Sequence, residues 1–171
     1  SDGLIGFRAR KYAPPVEVDA VGIHDPLDFW EPIHATKSAD LTLVPDDFYI
    51  LVSREAYRVP STHAAEMVAY DTQVGEFRVH YAGFFDPGFG DRDAGSKGSG
   101  AKAAGTGNGT RAVLEVRSHE VPFVVEDGQI VGRLLYERLS AEPDKLYGAA
   151  IGSNYQNQGL TLGIQFRPWR P

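Results

Sequence analysis

His80-Tyr-Ala-Gly-Phe-Phe-Asp-Pro-Gly-Phe-Gly90, followed after a Gly-rich break by Ala112-Val-Leu-Glu-Val116, decides how this chain is read. The first part is a strand running into a tight Asp-Pro-Gly turn. Pro87 presets φ for the turn, and Gly88 supplies the residue that must take a positive φ. The second part is a strand that carries one carboxylate. Glu115 alternates with Leu114 and Val116, so it faces away from its apolar neighbours.

Outward from that hairpin the text stays strand-like. Leu41–Leu43, Phe48–Ser53, Tyr57–Val59, Phe77–Gly83, Arg111–Arg117, Phe123–Val125 and Ile130–Glu137 are short runs separated by turn signals such as Pro45-Asp-Asp and Pro60-Ser. Ala64–Ala69 is compatible with a helical turn or a strand, and no segment sustains a 3.6-residue amphipathic period. Regularly spaced short strands predict an all-β barrel or sandwich with little helix. Residues 1–40 carry Pro14, Pro15, Pro26 and Pro32 together with Phe7, Tyr12, Phe29 and Trp30. They are expected to form an extended arm packing on a neighbouring surface, with the β domain occupying 41–171. Residues 91–110 are nearly free of large apolar groups and are expected to be a flexible insertion in a surface hairpin, or a lid over bound phosphates.

Composition narrows the function classes. The 171 residues suit one domain with a real core. A net charge of −6 argues against a nucleic-acid polymer as partner, since such binding calls for a basic face. No apolar run is long enough for a membrane-spanning helix, and no secretory signal is visible, so a cytoplasmic protein without membrane partners is expected. The chain opens Ser1-Asp2-Gly3 without Met and is expected to be a fragment or a processed form. The sequence contains no Cys. Thiol nucleophiles and the His/Cys/Cys or Cys₃ zinc site of familiar cytidine deaminases are therefore excluded. No pair of histidines has metal-site spacing, so no protein-held metal is expected.

The hairpin resembles the core motif of the dUTPase and dCTP deaminase superfamily, whose Ala-Gly-x-x-Asp-x-Gly hairpin builds a nucleoside pocket. Val121–Leu134 resembles the strand and turn that follow in that family, and Asn154–Gly159 resembles the tail that closes over the triphosphate. Leu4–Arg10, Asp28–Pro32 and Phe48–Glu55 resemble the C-terminal half of the long, two-halved bacterial dCTP deaminases. The resemblance implies a dUTPase-like distorted β-barrel, or β-clip. It also implies assembly as a homotrimer, or as a pseudo-trimer with a related N-terminal half. The implied ligand is a deoxynucleoside triphosphate carrying Mg²⁺ on its phosphates.

Two acids carry the implied chemistry. Hydrolytic deamination of cytosine needs a water activated toward C4 and a proton for the departing amine, and one carboxylate can serve both steps. Glu115 matches the family's glutamate; from the residues alone it could equally be a solvated strand-face acid paired with Arg117 or Arg133. Asp86 could cap its own turn or stand beside the deoxyribose, as the resemblance implies. Substrate-binding candidates are His80, Tyr81, Ala82 and Phe85 on the hairpin. Arg117 and Arg133 are the nearby guanidiniums, and Tyr147, Tyr155 and Gln158 belong to the tail. His80 also reads as an ordinary strand-face histidine.

One stretch departs from the family. Its Arg-Ser-Ser-x-x-Arg phosphate motif should precede the hairpin, yet Ala69-Tyr-Asp-Thr-Gln-Val-Gly-Glu76 holds neither Ser-Ser nor Arg. A related N-terminal half could supply that motif across an interface. Three readings follow: dCTP deamination to dUTP and ammonia, a dUTP diphosphatase or bifunctional enzyme giving dUMP, and a non-catalytic half that builds the trimer.

Overall fold

The computed structural model describes residues 3–69, 77–79, 83–90, 109–118, 120–147 and 160–170. The strand-like stretches resolve into β1 (Leu4–Ala9), β2 (Trp30–His34), β3 (Asp40–Leu43), β4 (Phe48–Tyr57), β5 (His63–Ala69), β6 (Phe77–Val79), β7 (Phe84–Phe85), β8 (Thr110–Ser118), β9 (Phe123–Glu126) and β10 (Gly132–Arg138). The only helix among the described residues is the four-residue α1 (Pro26–Phe29). Asp25 caps it by accepting the Leu27 N–H at 2.9 Å, and Pro26 occupies its first turn, where no amide donor is needed.

The strands form a five-stranded sheet in the order β2-β1-β4-β8-β6, a three-stranded sheet β10-β5-β7 and a two-stranded sheet β3-β9, with antiparallel pairing throughout. β8 shows why an all-β reading works. Its residues alternate strictly between buried and exposed, with Ala112, Leu114 and Val116 inward and Arg111, Val113, Glu115 and Arg117 outward. The inward residues join Leu43, Tyr49 and Met67 in one core, against which Phe123, Val125 and Leu134 pack. All three sheets therefore contribute to this core, as the expected all-β architecture requires.

The ambiguous segment at Ala64–Ala69 is strand β5, paired over seven residues with β10. Tyr57–Val59 is not a separate strand: Tyr57 ends β4, which pairs with β8 to its last residue. The N-terminal forty residues are more than an arm. β1 lies between β2 and β4, and Phe7 is fully buried against Trp169 at 5.4 Å between ring centroids. Of the aromatic residues that suggested docking on a neighbour, Phe7, Phe29 and Trp30 instead pack within the chain, and Tyr12 is fully exposed. Phe166 stacks edge-on to Phe29 at 5.3 Å, and Gly22 N–H donates to Ile164 O at 2.9 Å. Aromatic rings spaced through a turn-rich stretch look alike in sequence whether their partners are internal or external.

The 91–110 insertion is described only at its end, and its expected role as a loop or lid lies outside the described residues. The chain leaves for it at Gly90 and returns at Gly109. Both have positive φ (73° and 75°) and both approach the carbonyl of Tyr57. A Cβ at Gly90 would lie 2.2 Å from that oxygen, so no other residue fits without backbone movement.

Candidate functional site

The Asp-Pro-Gly turn closes through its backbone. Phe89 N–H donates to Asp86 O at 3.0 Å, Gly88 N–H donates to Val59 O at 3.0 Å, and Gly88 takes φ 92° as the turn chemistry predicts. Among the described residues no hydrogen bond is made by the Asp86 carboxylate to its own turn. The turn is closed by backbone groups, and Asp86 is exposed.

Beneath the turn lies a cavity of about 240 Å³, walled by Met67, Gly83, Phe84, Phe85, Asp86, Phe89, Val113, Glu115 and Tyr147. β8 delivers Glu115 to it from its outer face, and the β7 turn delivers Asp86. The floor is aromatic. Phe89 meets Phe85 edge-on at 5.0 Å and Tyr147 at 5.8 Å. Val59, Ala65 and Phe89 form a small core of their own beneath this stack. Tyr147 is held there by its backbone: its N–H donates to Pro87 O at 2.9 Å.

Glu115, Asp86, Phe85 and Tyr147 thus come together on one wall system. Arg117 lies elsewhere, its guanidinium 5.1 Å from the centroid of the Phe48 ring. Arg133 is among the residues around a second, larger cleft of about 660 Å³. No ion pair joins Glu115 to Arg117 or Arg133 among the described residues, so the strand-face pairing does not form. His80, Tyr81, Ala82, Tyr155 and Gln158 lie outside the described residues, as does nearly all of the 69–76 stretch that departs from the family motif.

Sequence reasoning did not single out Met67, Phe89 or Val113 as cavity residues. Val113 was readable, because it shares the outer face of β8 with Glu115 two positions away. Phe89 was readable as the aromatic residue closing the turn. Met67 carried no signal, since its segment was compatible with helix or strand.

The cavity can take a ring-shaped apolar group against Phe89 and Tyr147 while presenting two acids to its polar edge. Among the described residues, no three acids or histidines cluster closely enough to hold a metal ion. No helix among them is long and apolar enough to cross a membrane.

A comparison with curated proteins finds no match. Among solved structures, the chain is similar to the crystal structure of 2'-deoxycytidine 5'-triphosphate deaminase from Agrobacterium tumefaciens. The TM-score is 0.70 and the sequence identity 56%, with 84% of this chain and 40% of that one covered. This chain therefore spans less than half the length of that protein. The likeness makes the fold that of a dUTPase-like deaminase. The model of the 2'-deoxycytidine 5'-triphosphate deaminase C-terminal domain matches residues 1–166. With this fold and a match over almost its whole length, the chain belongs to that family.

Proposed function

We propose that this chain serves the hydrolytic deamination of dCTP to dUTP and ammonia, contributing the nucleoside pocket and the glutamate. The observation that carries this reading is the meeting of Glu115 and Asp86 on one aromatic-floored cavity, in a chain of the deaminase family.

In this reading the cytosine ring lies with C4 toward Glu115. The carboxylate takes a proton from water as the water oxygen bonds to C4, and passes it to N3. As the C4–N bond breaks, Glu115 moves the remaining hydroxyl proton to the amine, which leaves as ammonia. The ring keeps C4=O and N3–H. Asp86 accepts a hydrogen bond from the sugar, and Phe85 and Phe89 pack beneath it. The small, aromatic-walled space favours deoxyribose over ribose. Tyr147, Tyr155 and Gln158 are the tail residues assigned to the substrate, whose triphosphate enters as its Mg²⁺ complex. His80, Tyr81 and Ala82 are the hairpin residues assigned to nucleoside binding. Arg117 and Arg133, placed away from the cavity, act on substrate only across a contact with another unit.

Division of the site between units also accounts for the missing Arg-Ser-Ser motif. The reading assigns the chain to a trimer or pseudo-trimer that includes the related N-terminal half, which supplies the motif, working in the cytoplasm on the deoxynucleotide pool. Incubation of the chain together with the related N-terminal half, with dCTP and Mg²⁺, followed by chromatographic separation of dCTP, dUTP and dUMP, tests it. Formation of dUTP is expected. Formation of dUMP from dUTP without any deamination would replace this reading with the diphosphatase one.

A further inference from the structure

Strands at sheet edges carry unpaired N–H and C=O groups, and folds usually blunt them. This chain does so at most edges. β2 has Pro32 at its centre, β7 is two residues long, and β3 and β9 are four residues each. β10 is different. It runs seven residues in unbroken register with β5, without Pro or bulge, and among the described residues no backbone pairs with its other side.

The sequence of that edge is complementary to itself. Arg133, Leu135 and Glu137 alternate on its outer face, where Leu135 is 51% exposed. Leu134 and Tyr136 turn the other way. Leu134 packs on the core, and the Tyr136 hydroxyl donates to Arg58 O at 3.2 Å. Antiparallel pairing about a two-fold axis through Leu135 sets each Arg133 opposite a Glu137 and sets Leu135 against its own copy. Moving the axis one residue either way opposes Leu135 to a charge, Glu137 or Arg133, so the pattern selects one register.

We infer that the β10 edge is an interface between two copies of this chain, joined as a continuous antiparallel sheet with its two-fold axis at Leu135. Such an isologous contact satisfies the edge amides and closes on itself, leaving no template for further growth. It is a two-fold contact added to any three-fold one; two trimers joined this way give six chains.

The absence of native Cys makes the test clean. In either kind of antiparallel pair, opposed Cα atoms stand about 4.5–5.5 Å apart, within the span a disulfide bridges. Leu135→Cys is therefore expected to give a covalent dimer on mild oxidation at micromolar concentration, and Ile130→Cys, equally exposed in the neighbouring turn, to remain uncrosslinked. By sedimentation, the unmodified chain should form an even-numbered assembly. Arg133→Glu and Glu137→Arg should each weaken it at least tenfold, and the double exchange should restore it. An assembly of one or three chains, no crosslink through Leu135→Cys, crosslinking of both variants alike, or failure of the double exchange in folded protein would overturn the inference.

Discussion

The N–H of Tyr147 donates to the carbonyl of Pro87 at 2.9 Å, tying the segment that follows β10 to the turn that carries Asp86. Two parts of the chain far apart in sequence are thereby joined at the edge of one cavity. The backbone does this positioning, while the Tyr147 ring packs on Phe89.

The aromatic floor should be the most mutation-sensitive part of the site. Phe89 is 9% exposed and touches both Phe85 and Tyr147. Phe89→Ala is expected to cost about 3–5 kcal/mol, the usual loss for a large ring removed from a packed interior. Thermal or chemical unfolding measures it; an unchanged midpoint would show that the ring is not part of a cooperative core.

Asp86 should separate binding from stability. Its carboxylate makes no bond to its turn among the described residues, so Asp86→Asn should leave the unfolding midpoint within experimental scatter. Loss of a charged hydrogen bond to the sugar should weaken dCTP binding about tenfold or more, following the roughly 1.5–3 kcal/mol such bonds contribute. Calorimetric titration reads the binding. A large drop in stability with unchanged affinity would return Asp86 to a structural role.

Gly90 should tolerate no side chain. Its positive φ and the 2.2 Å approach of a built Cβ to Tyr57 O act together. Gly90→Ala is expected to destabilise by more than about 1 kcal/mol, read from the denaturant midpoint. Ala at Gly22, which has a positive φ but open space around it, isolates the part due to φ alone.

Stability should fall in alkali. Burial, reinforced by the charge of Glu55, raises the Tyr57 phenol above its ordinary 10.0, and burial raises Tyr136. Contact with the Asp47 carboxylate, 3.0 Å from Nζ, raises Lys11 above 10.5. In each case the folded pKa exceeds the unfolded value. The protonated form's contribution is therefore complete below about pH 10 and is lost as pH rises through the folded value. Thermal midpoints should decline above about pH 10, and Tyr57→Phe should reduce the decline. A flat profile to pH 11 would contradict the assignment.

Most of the β architecture was legible because strand alternation is a local property. The β8 pattern states its two faces outright, and the Asp-Pro-Gly turn states its φ values. The placement of residues 1–40 was not legible. Nothing in Phe7 or Phe29 tells whether the covering ring is Trp169 and Phe166 of the same chain or a neighbour. The two acids could be singled out from the hairpin and its resemblance. The displacement of Arg117 onto Phe48 could not, because a cross-strand partner is set by the β4–β8 register, in which Phe48 faces Arg117.

The central claim rests on Glu115, and the most direct measurement compares dUTP formation from dCTP by the unmodified chain and by Glu115→Gln, which keeps the side chain's shape and removes its basicity. With the N-terminal half present, the account predicts Glu115-dependent dUTP formation, with the rate falling at least about a hundredfold in the variant while its unfolding midpoint stays put. Equal rates in the two proteins, or dCTP left intact by the folded, unmodified chain with the N-terminal half present, would contradict it.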